Sequence, residues 1–188
     1  MKEYGPNEPN IIAHFHEWIG SVSILYIKKE SLDIATVFTT HATILGRHLC
    51  AGDVDFYNNI KSIDIDFEAG KRGIYTNYCL ERAITHCADV FTCVSHITAF
   101  EAECLLHRKP DGVLPNGINS KRSPTFHDVK EKYEKNRKRI LEFVTGHFNG
   151  HINFDLEQTI VLFIAGRREF RNKGVDLFIE CLRSTLFG

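Results

Sequence analysis

The sequence predicts an α/β fold built on a parallel sheet with helical crossovers, and two observations point to it. Short runs rich in β-branched and aromatic residues alternate with longer stretches of helical periodicity along all 188 residues. Several of the short runs are continuously apolar, as in residues 33–39 (DIATVFT) and 160–165 (IVLFIA). Strands of a parallel sheet covered on both faces read this way. The resulting order is β-α-β-α-α-β-α-β, then a helix, then β-α.

Residues 10–15 form the first expected strand, and His16-Glu17-Trp18 opens a helix extending to about Lys28. After the strand at 33–39, Thr40-His41-Ala42 leads into a short helix through Leu45 and Leu49 that stops near Gly52. A long helix is expected over 68–88, weakened in its first turn by Gly70 and Gly73, since glycine loses the most backbone entropy on ordering. Residues 89–94 (DVFTCV) read as the next strand, and Ser95 is placed to cap the helix that follows. In that helix Ile97, Phe100 and Cys104 recur at helical spacing, and Pro110 ends it. Gly112-Val113-Leu114 is a short strand running into Pro115-Asn116-Gly117, a turn signal because Asn and Gly tolerate positive φ. A charged helix over about 128–148 precedes the buried strand at 160–165. The last helix carries Val175, Phe178, Ile179, Leu182 and Leu186 on one face.

Hydrophobic residues make up 43% of the chain, enough to bury a sizeable core and to exclude general disorder. Lys plus Arg number 23 against 24 Asp plus Glu, so the surplus of cations that non-specific nucleic-acid binding requires is missing. The basic run from Lys130 to Arg139 is interleaved with Glu131, Glu134 and Glu142, the pattern of a solvated helix. The six cysteines form no C-x-x-C pair and read as reduced, mostly buried thiols. The first residues lack the basic start and apolar run of a secretory signal, and the longest apolar stretch, 159–166, is far short of the ~20 residues that span a bilayer. A soluble cytoplasmic protein, binding neither nucleic acid nor membrane, is the expectation. The chain opens beside a Gly5-Pro6 turn and closes as a helix finishes, so it reads as a piece of a larger protein.

In parallel sheets ligands bind outside the carboxyl ends of the strands, so the polar residues of the strand-to-helix turns are the candidates. The sharpest is FIAGRREFRNKG, residues 163–174, where an apolar run ends at Gly166 and Arg167, Arg168, Arg171 and Lys173 precede a helix. Cations beside a helix amino terminus suit phosphate. Arg167 and Lys173, at the two ends of the loop, offer a fork and a point charge for a diphosphate; a solvated basic turn is the other reading. His41 follows a strand in the same way, with Arg47 six residues on. A neutral histidine there can bond a hydroxyl, or shield developing positive charge through its carbonyl; taken alone, a histidine satisfied within its turn and an arginine in a surface ion pair are the favoured reading of the two. His14-Phe15-His16 suggests a metal only if the strand persists, and no third ligand is evident. Asp53-Val54-Asp55 and Asp64-Ile65-Asp66 match the short D-x-D pattern of some metal-dependent sugar transferases, a pattern common by chance.

Longer motifs carry a resemblance. AHFHEW (13–18), TVFTTHATILGR (36–47), CAGDVDFYNN (50–59), ADVFTCVSHITAFEAECLLHRKPDGVLPNGIN (88–119), FVTGHF (143–148) and FIAGRREFRNKGVDLFIE (163–180) resemble eukaryotic glycogen synthase, in order and over nearly the whole chain. The resemblance implies a GT-B glycosyltransferase fold, two Rossmann-like domains facing across a cleft. Residues 1–124 would be most of the N-terminal domain, lacking its first strands. Residues 125–188 would be a connecting helix and the start of the C-terminal nucleotide-binding domain, with Pro115-Asn116-Gly117 near the hinge.

The implied activity is transfer of glucose from UDP-glucose to the 4-hydroxyl at the non-reducing end of glycogen, with retention and without a metal or other cofactor. By motif, Arg47, Arg167 and Lys173 would bind the donor diphosphate and stabilise departing UDP, and His41 would sit against the transferred glucose. Arg168 stands where the family usually has an aromatic residue, which alters the expected nucleotide contacts. The implied partners are UDP-glucose, glycogen, glycogenin and further copies of the enzyme in a tetramer. The family's glycine-rich donor loop would precede Met1 and its catalytic acidic residue would follow Gly188, so this chain alone is expected to be inactive. The alternative is a non-catalytic truncated module keeping a glycogenin-binding surface. A dinucleotide-binding Rossmann enzyme is disfavoured, because no G-x-G-x-x-G follows a strand.

Overall fold

The computed structural model describes residues 10–52, 55–119, 126–148, 155 and 158–187. Of these, the residues within Met1–Asn116 and Arg168–Gly188 form one compact unit, and those within Gly117–Arg167 form a second.

The first unit holds a four-stranded, all-parallel sheet in the order β1 (Ile12–His16), β2 (Ala35–Thr40), β3 (Val90–Cys93), β4 (Gly112–Val113). Each connection is helical, as parallel neighbours demand. Between β1 and β2 lie α1 (Glu17–Ser21) and α2 (Ser23–Lys29). Between β2 and β3 lie α3 (Ile44–Ala51), α4 (Phe56–Asn59), α5 (Ile65–Lys71) and α6 (Tyr75–Cys87). The crossover to β4 is α7 (His96–Leu106), capped by the Ser95 side chain accepting from the Thr98 N–H. The chain then forms α8 (Phe126–His147) in the second unit and α9 (Val175–Phe187) in the first.

Register decides which face becomes the core. Phe38 pairs with Phe91, so the two rings stand on one face, fully buried and stacked 5.4 Å apart. Helix residues Ile24, Leu45, Leu49, Tyr78, Ile84, Ala102 and Leu105 pack over them in one cluster. The opposite face carries Ile12 and Val90, which stay 69% and 40% exposed. Covering of both faces, expected from the apolar runs, is therefore partial among the described residues: on this second face Thr39 and Thr92 are buried while Ile12 and Val90 are not. Where β2 begins, Asp89 accepts from Lys28 Nζ (2.6 Å), the Thr36 N–H (2.8 Å) and the Thr36 hydroxyl (2.8 Å). The Lys28 contact first, then the Thr36 donors, hold its carboxyl down at about 2.

Several local expectations are corrected. The long helix over 68–88 is two helices, because Gly73 adopts φ +67° and its N–H closes onto the Gly70 carbonyl. The first crossover helix likewise divides at Val22. In α7 the buried face is Thr98, Glu101, Ala102, Leu105 and Leu106, while Ile97 is 61% exposed; two buried polar residues hide the true stripe from an apolar count. At Pro115-Asn116-Gly117 no residue takes positive φ and no turn forms. Residues 160–165 form no strand and pair with none of the described strands, and Ile160 and Phe163 are more than 80% exposed. All six cysteines are free, yet of them only Cys93 is buried.

Candidate functional site

β2 ends at Thr40 and the chain turns through His41 into α3 at Ile44. This turn lies at the carboxyl end of the sheet, where α/β ligands bind. The Thr43 hydroxyl caps α3, accepting from the Gly46 N–H at 3.1 Å. The His41 N–H donates to Glu17 Oε1 at 3.2 Å. Glu17 itself sits at φ +62°, in the left-handed region that a residue with a Cβ seldom occupies. That conformation, directly after β1, accompanies the reach of its carboxylate back to the neighbouring turn.

Because β1 persists to His16, His14 and His16 point to one face, their rings stacked 4.5 Å apart. His16 Nδ1 lies 3.0 Å from His41 Nε2, so one ring donates and the other accepts. His14 Nε2 lies 2.7 Å from Thr39 Oγ1, which is 2.6 Å from Thr92 Oγ1. Burial first, then the rings of His14 and His41, push the His16 imidazole below its ordinary value, against a smaller upward pull from Glu17. The shift favours the neutral imidazole, whose Nδ1 can donate to or accept from His41. The H-x-H pair thus engages a threonine and a third histidine, and among the described residues no group of three His, Cys, Asp or Glu is arranged to hold a metal ion. Of the two D-x-D motifs, Asp64 caps α5 by accepting from the Phe67 N–H at 3.0 Å, while Asp53 lies outside the described residues.

Arg47 stands one turn into α3, half-buried, its N–H donating to the Thr43 carbonyl at 3.0 Å. Its own carbonyl accepts from Asn172 Nδ2 at 3.3 Å, across 125 residues of sequence. Asn172 precedes Lys173 in a tight loop where the Lys173 N–H donates to the Glu169 carbonyl and the Gly174 N–H to the Arg171 carbonyl. Gly174 takes φ +67°, a conformation glycine accepts without steric cost, and α9 starts at the next residue. The loop carrying Lys173 is in this way seated on the helix carrying Arg47, whose turn carries His41. Arg167 is exposed and ends the second unit.

The glycogen synthase family model matches residues 1–186. The chain belongs to the glycogen synthase family. It is 59% identical to the glycogen (starch) synthase of Neurospora crassa. To isoform 2 of Saccharomyces cerevisiae it is 56% identical, and to the human liver form 54%. Each match covers 92% of this chain and 24% of the relative. The chain spans about a quarter of the length of the curated relatives it matches.

Reading from sequence missed two further residues that hold the turn after β2. Glu81 of α6 is fully buried and accepts the Ile44 N–H at 2.9 Å through Oε2. Glu101 of α7, 7% exposed, accepts from the Thr43 hydroxyl at 2.9 Å and the Tyr57 hydroxyl at 2.7 Å. A signal for both is present: each glutamate is in phase with buried neighbours three or four residues away, Tyr78 and Ile84 for one, Thr98 and Leu105 for the other.

Burial pushes the Glu81 carboxyl up to about 8, with the nearby Glu17 and Glu101 charges adding and the Ile44 N–H and Arg47 opposing. In the unfolded chain the same group titrates near its ordinary value of 4.5. As pH rises from about 4.5 to about 8 the unfolded state gives up a proton that the folded state keeps, so this group makes stability fall with pH across that window. Glu81→Gln removes the slope. Melting temperatures of the chain and of E81Q, compared from pH 5 to pH 9, should diverge in favour of E81Q as pH rises; parallel curves would contradict the assignment.

Proposed function

We propose that this chain supplies donor-site residues of a glycogen synthase that transfers glucose from UDP-glucose to the non-reducing 4-hydroxyl of glycogen with retention. The observation that carries the reading is the Asn172 hydrogen bond to the Arg47 carbonyl, which joins the Lys173 loop to the helix behind His41. Loss of UDP builds negative charge on a phosphate oxygen, and prearranged cations stabilise charge that develops in the transition state. Arg47 and Lys173 serve the donor diphosphate, and the family motif assigns the same role to Arg167, so fixed side-chain charges do the work a divalent metal does elsewhere. His41, at the strand end, faces the transferred glucose. The intact enzyme is a cytoplasmic GT-B transferase and a homotetramer that works on glycogenin-primed glycogen. Residues 1–124 belong to its N-terminal domain and 125–188 begin its C-terminal domain.

The test is a full-length chimera in which this chain replaces the matching segment of the yeast isoform 2 synthase. It should transfer labelled glucose from UDP-glucose to glycogen, at a rate unchanged by a metal chelator, while the isolated chain should transfer none. A folded chimera that transfers no glucose would overturn the reading, and a rate abolished by the chelator would overturn its metal-free chemistry.

A further inference from the structure

Three carboxylates from three separate elements converge on residues 41–44, from the end of β2 to the start of α3. Glu17 accepts the His41 N–H, Glu81 the Ile44 N–H and Glu101 the Thr43 hydroxyl. The Thr43 carbonyl in turn accepts the Arg47 N–H, so the Glu101 contact is one residue removed from the arginine. Space is committed as well. A Cβ on Gly46 would lie 2.4 Å from Thr43 Oγ1 and 2.6 Å from Glu101 Oε2, so the position must be glycine for these contacts to form. The arrangement is costly where it is most buried: Glu81 Oε1 has no hydrogen-bond partner among the described residues. An unpaired buried oxygen costs about 1–3 kcal/mol. Leucine or alanine at Glu81 would avoid the orphaned oxygen but would strip the Ile44 N–H of its acceptor at the very turn that carries His41.

We propose that Glu81 and Glu101 are positioning residues, a two-helix clamp that sets the turn so that His41 and Arg47 meet the sugar donor in reacting geometry. The inference rests on the donor-site reading above. Neither glutamate touches the donor; both act through backbone and hydroxyl groups of the turn. A small misplacement of groups that must meet a transition state lowers turnover by tenfold or more while leaving substrate binding much less affected.

The experiment uses the full-length chimera with Glu81→Ala, Glu81→Gln, Thr43→Val and Thr43→Ser. Thr43→Val removes the hydroxyl, and with it both the donor to Glu101 and the acceptor for the Gly46 N–H, while keeping the shape and both carboxylates. Rates at saturating UDP-glucose, the donor KM and deuterium exchange of the amides of residues 41–47 are measured on each. Glu81→Ala and Thr43→Val should lower kcat by about tenfold with KM within about threefold, and speed exchange at 41–47. Glu81→Gln and Thr43→Ser, which restore an acceptor and a donor, should return kcat to within about threefold of the parent. Folded Glu81→Ala and Thr43→Val chimeras with parental kcat would overturn the clamp, as would Gln or Ser variants no better than Ala or Val. If Glu81→Ala fails to fold, the Thr43 pair decides alone by the same criteria. A folded parent chimera without transfer activity would instead overturn the donor-site reading; the clamp is then judged by exchange, and unchanged protection at 41–47 in Thr43→Val overturns it.

Discussion

Arg167→Ala in the full-length chimera should slow glucose transfer by about 10²–10³-fold, which is about 3–4 kcal/mol of barrier. The donor reaches the site already carrying its diphosphate charge, so part of any contact with Arg167 exists before reaction. The bond to UDP then breaks, and the phosphate oxygen that inherits the electrons gains charge. Only that increase is catalytic, so the loss should fall mainly on kcat, with a smaller rise in the KM for UDP-glucose. Arg167 is exposed, so its removal leaves no cavity, and a cooperative melting transition checks that the variant is folded. Arg167→Lys keeps a charge but loses the planar fork and should recover only part of the rate. Measurement at saturating donor, with melting as the control, separates these effects. A folded Arg167→Ala enzyme with parental turnover would remove Arg167 from the site.

How much of this was legible in the sequence follows from which forces act locally. The strands at β2 and β3, the Ser95 cap and the arrest of α3 at Gly52 depend on neighbouring residues, and each stands where short-range chemistry puts it. The division at Gly73 depends on one residue choosing positive φ, an option glycine always has but does not always take. Residues 160–165 read as a buried strand because the segment is apolar and β-rich, yet a strand exists only where a neighbour accepts its hydrogen bonds. The site divides in the same way. His41, Arg47 and Lys173 were visible as polar residues after apolar runs. The seating of Asn172 on Arg47, across 125 residues, leaves no local trace. Glu81 and Glu101 were passed over because glutamate is ordinarily a surface residue; their phase with buried neighbours was the only clue.

Phe38→Ala should destabilise the chain by about 3–5 kcal/mol, the usual cost of deleting a buried aromatic ring. Phe38 is fully buried on β2, between β1 and β3, and its ring stacks on Phe91 at 5.4 Å. The loss combines the transfer free energy of the ring with the cavity left among side chains that collapse only partly. Whole domains are stable by only about 5–15 kcal/mol, so this one change removes a large share of the total. Urea unfolding followed by circular dichroism should show a lower midpoint with an unchanged slope, because the surface exposed on unfolding is nearly the same. Phe91→Ala alone and the double variant complete a cycle, and the two losses should fall short of additivity by about 0.5–1.5 kcal/mol, the usual worth of an aromatic pair. β2 ends at Thr40, two residues beyond Phe38, so the ring also supports the strand from which the His41 turn departs. A loss below about 1 kcal/mol would mean that the helices refill the cavity, and that β2 is held by its hydrogen-bonded neighbours more than by its core.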